Sequence, residues 1–182
     1  RPVIIAGGGV QYSRAVKELT AFAEARQIPV IETIAGRANL LNDHPLNIGP
    51  VGVTGSDSAN AIAEKADVII AIGTRLQDFT TGSRALFGAA GRRIVAINVA
   101  AFDAAKHGAL PVVADARVAL EEIGAALGDW RAREVDPRLR EAWLEAVDGV
   151  TAPPAAGNAL PTDMQVVGAV QRGVGEDAIV VC

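Results

Sequence analysis

The hydrophobic positions of this 182-residue chain follow two alternating rhythms. Residues 3–6 (VIIA), 28–31 (IPVI), 68–72 (VIIAI), 93–99 (RIVAINV) and 111–114 (PVVA) are short runs dominated by apolar residues. Runs of that length suit strands buried on both faces, as in a parallel sheet covered by helices. Between them the apolar residues recur at helical spacing: Val16, Leu19, Phe22 and Ala23, then Ala59, Ile62 and Ala63, then Val118, Leu120, Ile123, Ala126 and Leu127. Ser13, Ser56 or Asp57, and Asp115 are the expected caps, and the helices are expected to close near Arg26, Lys65 and Gly128. A helical stretch is also expected from Gly82 to about Phe87, and a turn or short helix from Phe102 to His107. The order β, α, β, loop, α, β, α, β, β, α predicts a doubly wound, Rossmann-like α/β fold. Its sheet is parallel, with helices on both faces and right-handed crossovers.

Residues 33–55 keep neither rhythm, being broken by Gly36, Pro45, Gly49, Pro50, Gly52 and Gly55. They are expected to form a long ordered loop with one short helix, the kind of segment that more often carries function than not. The stretch 67–82, DVIIAIGTRLQDFTTG, is the centre of the pattern. Its polar groups emerge at the carboxyl end of a buried strand, where open α/β sheets bind ligands.

The chain is expected to divide into a central domain over residues 1–150, a linker over 151–159 and the start of a further domain over 160–182. Leu139, Trp143, Leu144 and Val147 mark an amphipathic surface helix, and the Pro-rich APPAAGN stretch marks the linker. A capped helix and a strand follow, too little to bury a core alone. Arg1-Pro2 directly before a strand and the final AIVVC both read as cuts from a longer polypeptide.

Composition narrows the function classes. Half of the residues are apolar but only 4% are aromatic, which suits thin helices packed closely on a sheet. With 17 basic and 21 acidic residues there is no basic footprint for nucleic acid. Cys182 is the sole cysteine, so no disulfide frame or cysteine metal cluster is expected, and His44 and His107 are too few for a metal site. No run approaches the roughly 20 apolar residues that span a bilayer. The expectation is a cytoplasmic protein without a membrane partner.

Four segments carry candidate binding chemistry. Gly7-Gly8-Gly9 after the first strand invites a dinucleotide reading with Glu32 as ribose acceptor, but Tyr12 stands where that fingerprint needs Gly or Ala. The glycines read better as a turn demanded by backbone geometry, through positive φ or close approach. Gly73, Thr74 and Arg75, with Thr80 to Ser83, form either a phosphate or carboxylate cradle or a local pairing of Arg75 with Asp78 or a neighbouring domain's acid. Gly52 to Ser56 either seats an anion or caps a helix, and Asn98 either meets a ribose or satisfies a turn. His44 reads as a hydrogen-bonding loop residue, and Trp130 and Trp143 as packing residues. No Ser-His-Asp set, carboxylate pair or P-loop can be argued from spacing.

Taken in order, AGGGV, IPVIET, DHPLNIGPVGVTG, ADVIIAIGTRLQDFTTG and LPVVADAR resemble the central domain of thiamine diphosphate-dependent enzymes of the acetohydroxyacid synthase group. The likeness covers residues 1–128, and the tail from Leu160 resembles the opening of the family's diphosphate-binding domain. Within the group, GTRLQDFTTGS, INVAAFDAAKH and LPTDMQVVGAV resemble the branch that opens the ring of trihydroxycyclohexane-1,2-dione in myo-inositol breakdown. The carboligating branch, of acetolactate synthase type, usually has an Ala-Arg-Phe-Asp-Asp-Arg segment at Thr74 to Phe79 and Asp-Ile-Asp-Pro at Asn98 to Ala101.

The resemblance implies thiamine diphosphate and Mg in the complete enzyme, held by domains this chain does not contain. It implies cleavage of a carbon–carbon bond by the cofactor's thiazolium carbon, completed by water. It also implies a homodimer or tetramer. In FAD-containing relatives this domain cradles FAD; Gly73, Thr74 and Arg75 resemble that cradle, while Asn98 and Ala100 depart from it. The candidate cofactor-binding residues are therefore Gly8, Gly73, Thr74, Arg75 and Asn98, with no catalytic residue and no metal ligand assigned. A non-catalytic nucleotide-binding or scaffold domain is the alternative from another class.

Overall fold

The computed structural model describes residues 1–88, 90–133, 136–155, 160–175 and 178. The strands are β1 (Pro2–Ala6), β2 (Val30–Glu32), β3 (Asn47–Pro50), β4 (Val68–Ile72), β5 (Arg93–Asn98) and β6 (Leu110–Val113). They form one parallel sheet in the order β3-β2-β1-β4-β5-β6. The direction of winding reverses between β1 and β4, and the predicted doubly wound fold is present.

Strand periodicity sends alternate side chains to opposite faces of the sheet. Ile4, Ala6, Val30, Ile72 and Ile97 pack beneath α2 (Val16–Arg26) and α6 (Ala116–Ala126), whose Leu19, Phe22, Ala119 and Leu120 close that layer. Val3, Ile5, Ile31, Ile69 and Ala71 pack on the other side against Ala59 and Ala63 of α3 (Asp57–Lys65). The small inner residues let these three helices sit close to the sheet.

Several expected elements differ from those formed. The first crossover helix is broken: α1 (Gly9–Tyr12) ends at Ser13, Arg14 takes φ 52°, and α2 starts afresh with Ala15 as N-cap. Ser13 therefore caps no helix start. Within residues 33–55, a 3-10 turn at Ile34–Gly36 matches the expected short helix, while β3 was not expected. It pairs irregularly with β2 as an edge strand, the place where Pro50 is tolerated. The helical turn α4 (Asp78–Thr81) precedes Gly82 rather than following it, and a 3-10 turn covers Ala85–Phe87. Val118 and Ala126 of α6 face outward; Ala116, Ala119 and Leu120 are the buried positions.

α5 (Ala101–Ala104) and a 3-10 turn at Lys106–Gly108 occupy the expected turn region, and Ser56 caps α3 by accepting from the Ala59 amide at 3.1 Å. The chain divides into two compact units, Arg1–Arg140 and Glu141–Cys182. α7 (Arg138–Thr151) crosses that division. In the second unit α8 (Asp163–Gly173) begins with a reciprocal capping box between Thr162 and Gln165. Gly168 approaches the Thr151 carbonyl so closely that a Cβ there would lie 2.3 Å from it. Residues 156–159 of the expected linker and residues 179–182 of the expected final strand AIVVC, Cys182 included, lie outside the described residues. Among the described residues no helix is long and apolar enough to cross a membrane.

Candidate functional site

The loops following β1, β4, β5 and β6 converge at the point where the winding reverses, the usual ligand crevice of an open α/β sheet. They enclose a cleft of about 710 Å³, within the ordinary range for small-molecule sites. Gly8, Gly73, Thr74, Arg75 and Asn98, the five candidates from sequence, all line it.

Its frame is backbone packed on backbone. The Gly9 amide donates to the Gly73 carbonyl at 2.9 Å. A Cβ on Gly7 would sit 2.3 Å from that same carbonyl, and one on Gly9 would sit 2.6 Å from the Gly73 Cα. Gly73 itself has φ 60°, a conformation glycine adopts without penalty. Gly8 takes ordinary helical angles, so the glycine run serves close approach and Gly73 alone supplies the left-handed turn.

The side chains divide into those already engaged and those available. Asn98 Nδ2 donates to the Thr74 carbonyl at 3.0 Å, and its Oδ1 accepts from the Ala100 amide at 3.0 Å. It thereby satisfies the turn that sequence left as one of two options. The Thr74 hydroxyl is buried and accepts from the Leu76 amide at 3.3 Å. Arg75 is exposed, and among the described residues it forms no ion pair, with Asp78 or any other acid. Of the Thr80 to Ser83 hydroxyls only Thr80 reaches the cleft; Thr81 is buried and accepts from the Arg84 amide. Gln77 and Tyr12 complete this rim.

The opposite wall carries acids that sequence reasoning did not place in the site. Asp115 caps α6 through the amides of Arg117 and Val118, at 2.9 and 3.4 Å. The Ser13 hydroxyl beside it holds its carboxyl below the usual aspartate range; burial opposes this, and those amides add to the lowering. Asp103 is paired with Lys106 at 2.6 Å, and Lys106 also lies 5.0 Å from the Phe102 ring centre. The cleft thus presents one open guanidinium on one side and carboxylates on the other. That polarity accommodates a ligand with an anionic end and hydrogen-bond donors.

Three other candidates lie outside it. Glu32, the acid of the dinucleotide reading, is fully buried and engaged by Leu40 and Arg37. Gly52 exchanges hydrogen bonds with Asn60, and Ser56 is used as a cap, so the 52–56 loop is internally satisfied. His44 accepts from the Leu46 amide through Nδ1, leaving Nε2–H to donate to Glu24 at 3.2 Å, a loop role as expected. Trp143 is buried, whereas Trp130 is 47% exposed. Among the described residues no group of three or more His, Cys, Asp or Glu side chains could hold a metal ion.

Residues 1–123 match the family model described as thiamine pyrophosphate enzyme, central domain. The chain is 50% identical over 130 residues to a 3D-(3,5/4)-trihydroxycyclohexane-1,2-dione hydrolase of Geobacillus thermodenitrificans, covering 71% of this chain and 20% of that protein. It is 41% identical over 155 residues to a hydrolase of the same name from Clostridium perfringens, covering 83% of this chain and 24% of the relative. A Bacillus cereus hydrolase of that name, numbered 2, is 51% identical over 120 residues, 66% of this chain and 19% of its own length. The chain therefore spans about a fifth to a quarter of the curated relatives it matches. With its parallel sheet, reversal-point cleft and match over two-thirds of its length, the chain belongs to the family of thiamine pyrophosphate enzyme central domains.

Proposed function

We propose that this chain is the central domain of a thiamine diphosphate-dependent hydrolase that opens the ring of trihydroxycyclohexane-1,2-dione. The observation that carries the reading is the 50% identity over 130 residues to a relative bearing that name. When bound, thiamine diphosphate supplies a nucleophilic carbon that makes a bond beside a ketone cleavable. Flanking domains hold it and Mg, and the parent assembles as a homodimer or tetramer. This chain contributes no reacting group. Its part is to fix the loops around the cleft and to offer that cleft to a ligand.

The proposed binding residues are Gly8, Gly73, Thr74, Arg75 and Asn98. Arg75 takes the anionic end of a phosphate-bearing nucleotide such as FAD or ADP. Gly8 and Gly73 give it backbone at close range, and Thr74 and Asn98 set the turn from which Arg75 projects. The open guanidinium favours this assignment.

The test of the enzyme reading uses the full-length polypeptide with thiamine diphosphate and Mg. Loss of the cyclic dione with ring-opened acid appearing is expected, and acetolactate formation from pyruvate without dione turnover would establish the carboligase instead. For the cleft, calorimetry with FAD and ADP is expected to give binding that Arg75→Ala removes. No heat at millimolar ligand would leave a scaffold domain with a closed pocket.

A further inference from the structure

We propose that Glu32 is a proton-operated latch: ionised, its carboxylate holds segment 37–47 against the glycine turn, and protonated, it lets Arg37 go while the sheet stays folded. The side chain ends β2 with no solvent exposure. Oε1 accepts from the Leu40 amide at 3.0 Å and Oε2 accepts from Arg37 Nη1 at 3.1 Å. Asn47 of β3 and the Asn39 amide lie beside the same carboxylate. One acid thus gathers donors from three points of a segment with little regular structure of its own.

That segment is wired to the wall of the cleft. Asn39 Nδ2 donates to the Gly7 carbonyl at 2.9 Å, and Gln11 Nε2 donates to the Arg37 carbonyl at 2.9 Å. Gly36 lies so near β1 that a Cβ would come within 2.1 Å of the Ala6 carbonyl. Ala35, between these contacts and Glu32, lines the cleft opposite Gly8. An outer tether is independent of the acid: Arg140 donates to the carbonyls of Asn42 and His44 at 2.7 and 3.1 Å.

The chemistry of release follows from the donor set. An ionised carboxylate can accept from all of these groups, whereas a neutral acid keeps an acceptor for Leu40 but turns an O–H toward Arg37, itself only a donor. Arg37 also donates Nη2 to Asn42 Oδ1 at 3.4 Å, and with its side chain 37% exposed it can turn from Glu32 toward water. Among the described residues the charged group that faces Glu32 is Arg37, from the segment itself; β3 presents Asn47, and the His44–Glu24 pair is a separate surface contact. Burial pushes the Glu32 carboxyl above its ordinary range, against the pull of the Leu40 amide and Arg37. The folded protein therefore takes up this proton more readily than the unfolded chain does. Release is local, with no loss of global stability from this group. The latch does not depend on which ligand the cleft takes.

The test is NMR on the full chain from pH 8 to pH 4, following the Glu32 carboxyl carbon and hydrogen exchange at Leu40, corrected for intrinsic rates. Weakening of the Leu40 bond from charge-assisted to neutral, together with release of Arg37, predicts that Leu40 protection falls about tenfold. The fall shares the carboxyl's midpoint, and Ile4 and Ile70 keep their protection. Glu32→Gln should show the low protection at every pH. Arg37→Met keeps the acid but removes the cation, so both midpoints should move upward together; this arm stands even if Glu32→Gln does not fold. Titration of Glu32 without change at Leu40, a carboxyl that stays ionised until the protein unfolds, or an unmoved midpoint in Arg37→Met would overturn the latch.

Discussion

Asn98 holds Thr74: its Nδ2 donates to the Thr74 carbonyl at 3.0 Å, joining the end of β5 to the turn that leaves β4. Replacing the amide by a carboxylate keeps the shape and the acceptor for Ala100 but sets oxygen against oxygen at Thr74. Asn98→Asp is therefore expected to lower stability by about 2 kcal/mol, and Asn98→Ser by less. Urea denaturation at neutral pH distinguishes the two. Equal losses would mean that the Thr74 contact carries nothing.

Gly7 and Gly149 make a matched pair of alanine tests. At Gly7 the added methyl meets the Gly73 carbonyl, which is backbone and cannot swing aside, so Gly7→Ala is expected to cost about 3 kcal/mol. At Gly149, inside α7, nothing lies within 4 Å of the new carbon. Gly149→Ala is expected to add about 0.5–1 kcal/mol through helix propensity. Thermal melts of both variants check the contrast.

Asp115 links the cleft to acid stability. Its carboxyl is held below the usual aspartate value of 3.8, first by Ser13 and then by the capped amides. The contribution is fully present above that value and is lost as pH falls through the lower folded value. Asp115→Ala should cost about 1 kcal/mol at neutral pH, the worth of a helix cap. The gap from the native chain should narrow below pH 3.8, and Ser13→Ala should reproduce part of it.

Arg75 should separate binding from folding. Because it is exposed and makes no ion pair among the described residues, Arg75→Ala is expected to leave stability within about 0.5 kcal/mol. The same substitution should abolish binding of FAD or ADP. A variant that melts early would make Arg75 a structural residue.

The sequence announced what depends on repeating patterns. The sheet was legible because β1, β4 and β5 are nearly continuous apolar runs, and Gly73 to Arg75 could be placed at its edge because β4 stops there. Glu32 matches a ribose acid by its position in the chain, a reading that Tyr12 already disfavoured; its actual role is set by Leu40 and Arg37, which arrive from a segment without periodicity. β3 was hidden by Gly49 and Pro50, acceptable only because the strand lies at the sheet's margin. The inward face of α6 was legible at Leu120, Ile123 and Leu127, which pack in the core, but not at Val118 and Ala126, which face outward. Ala116 and Ala119, buried beside Leu120, were passed over because alanine carries a weak apolar signal. The cleft's Asp115 was visible as a cap, and only the fold brings Ser13 to it.

The contact of Gly7 and Gly9 with Gly73 separates what shapes the crevice from what chooses its occupant. The loop paths are set where side chains are missing, while Tyr12, Gln77 and Thr80 stand on those paths facing the opening. Variation at these three positions can redraw ligand preference without disturbing the loops that carry them. For library construction this makes the domain a ready platform: randomise the rim, hold the three glycines fixed, and most members should still fold.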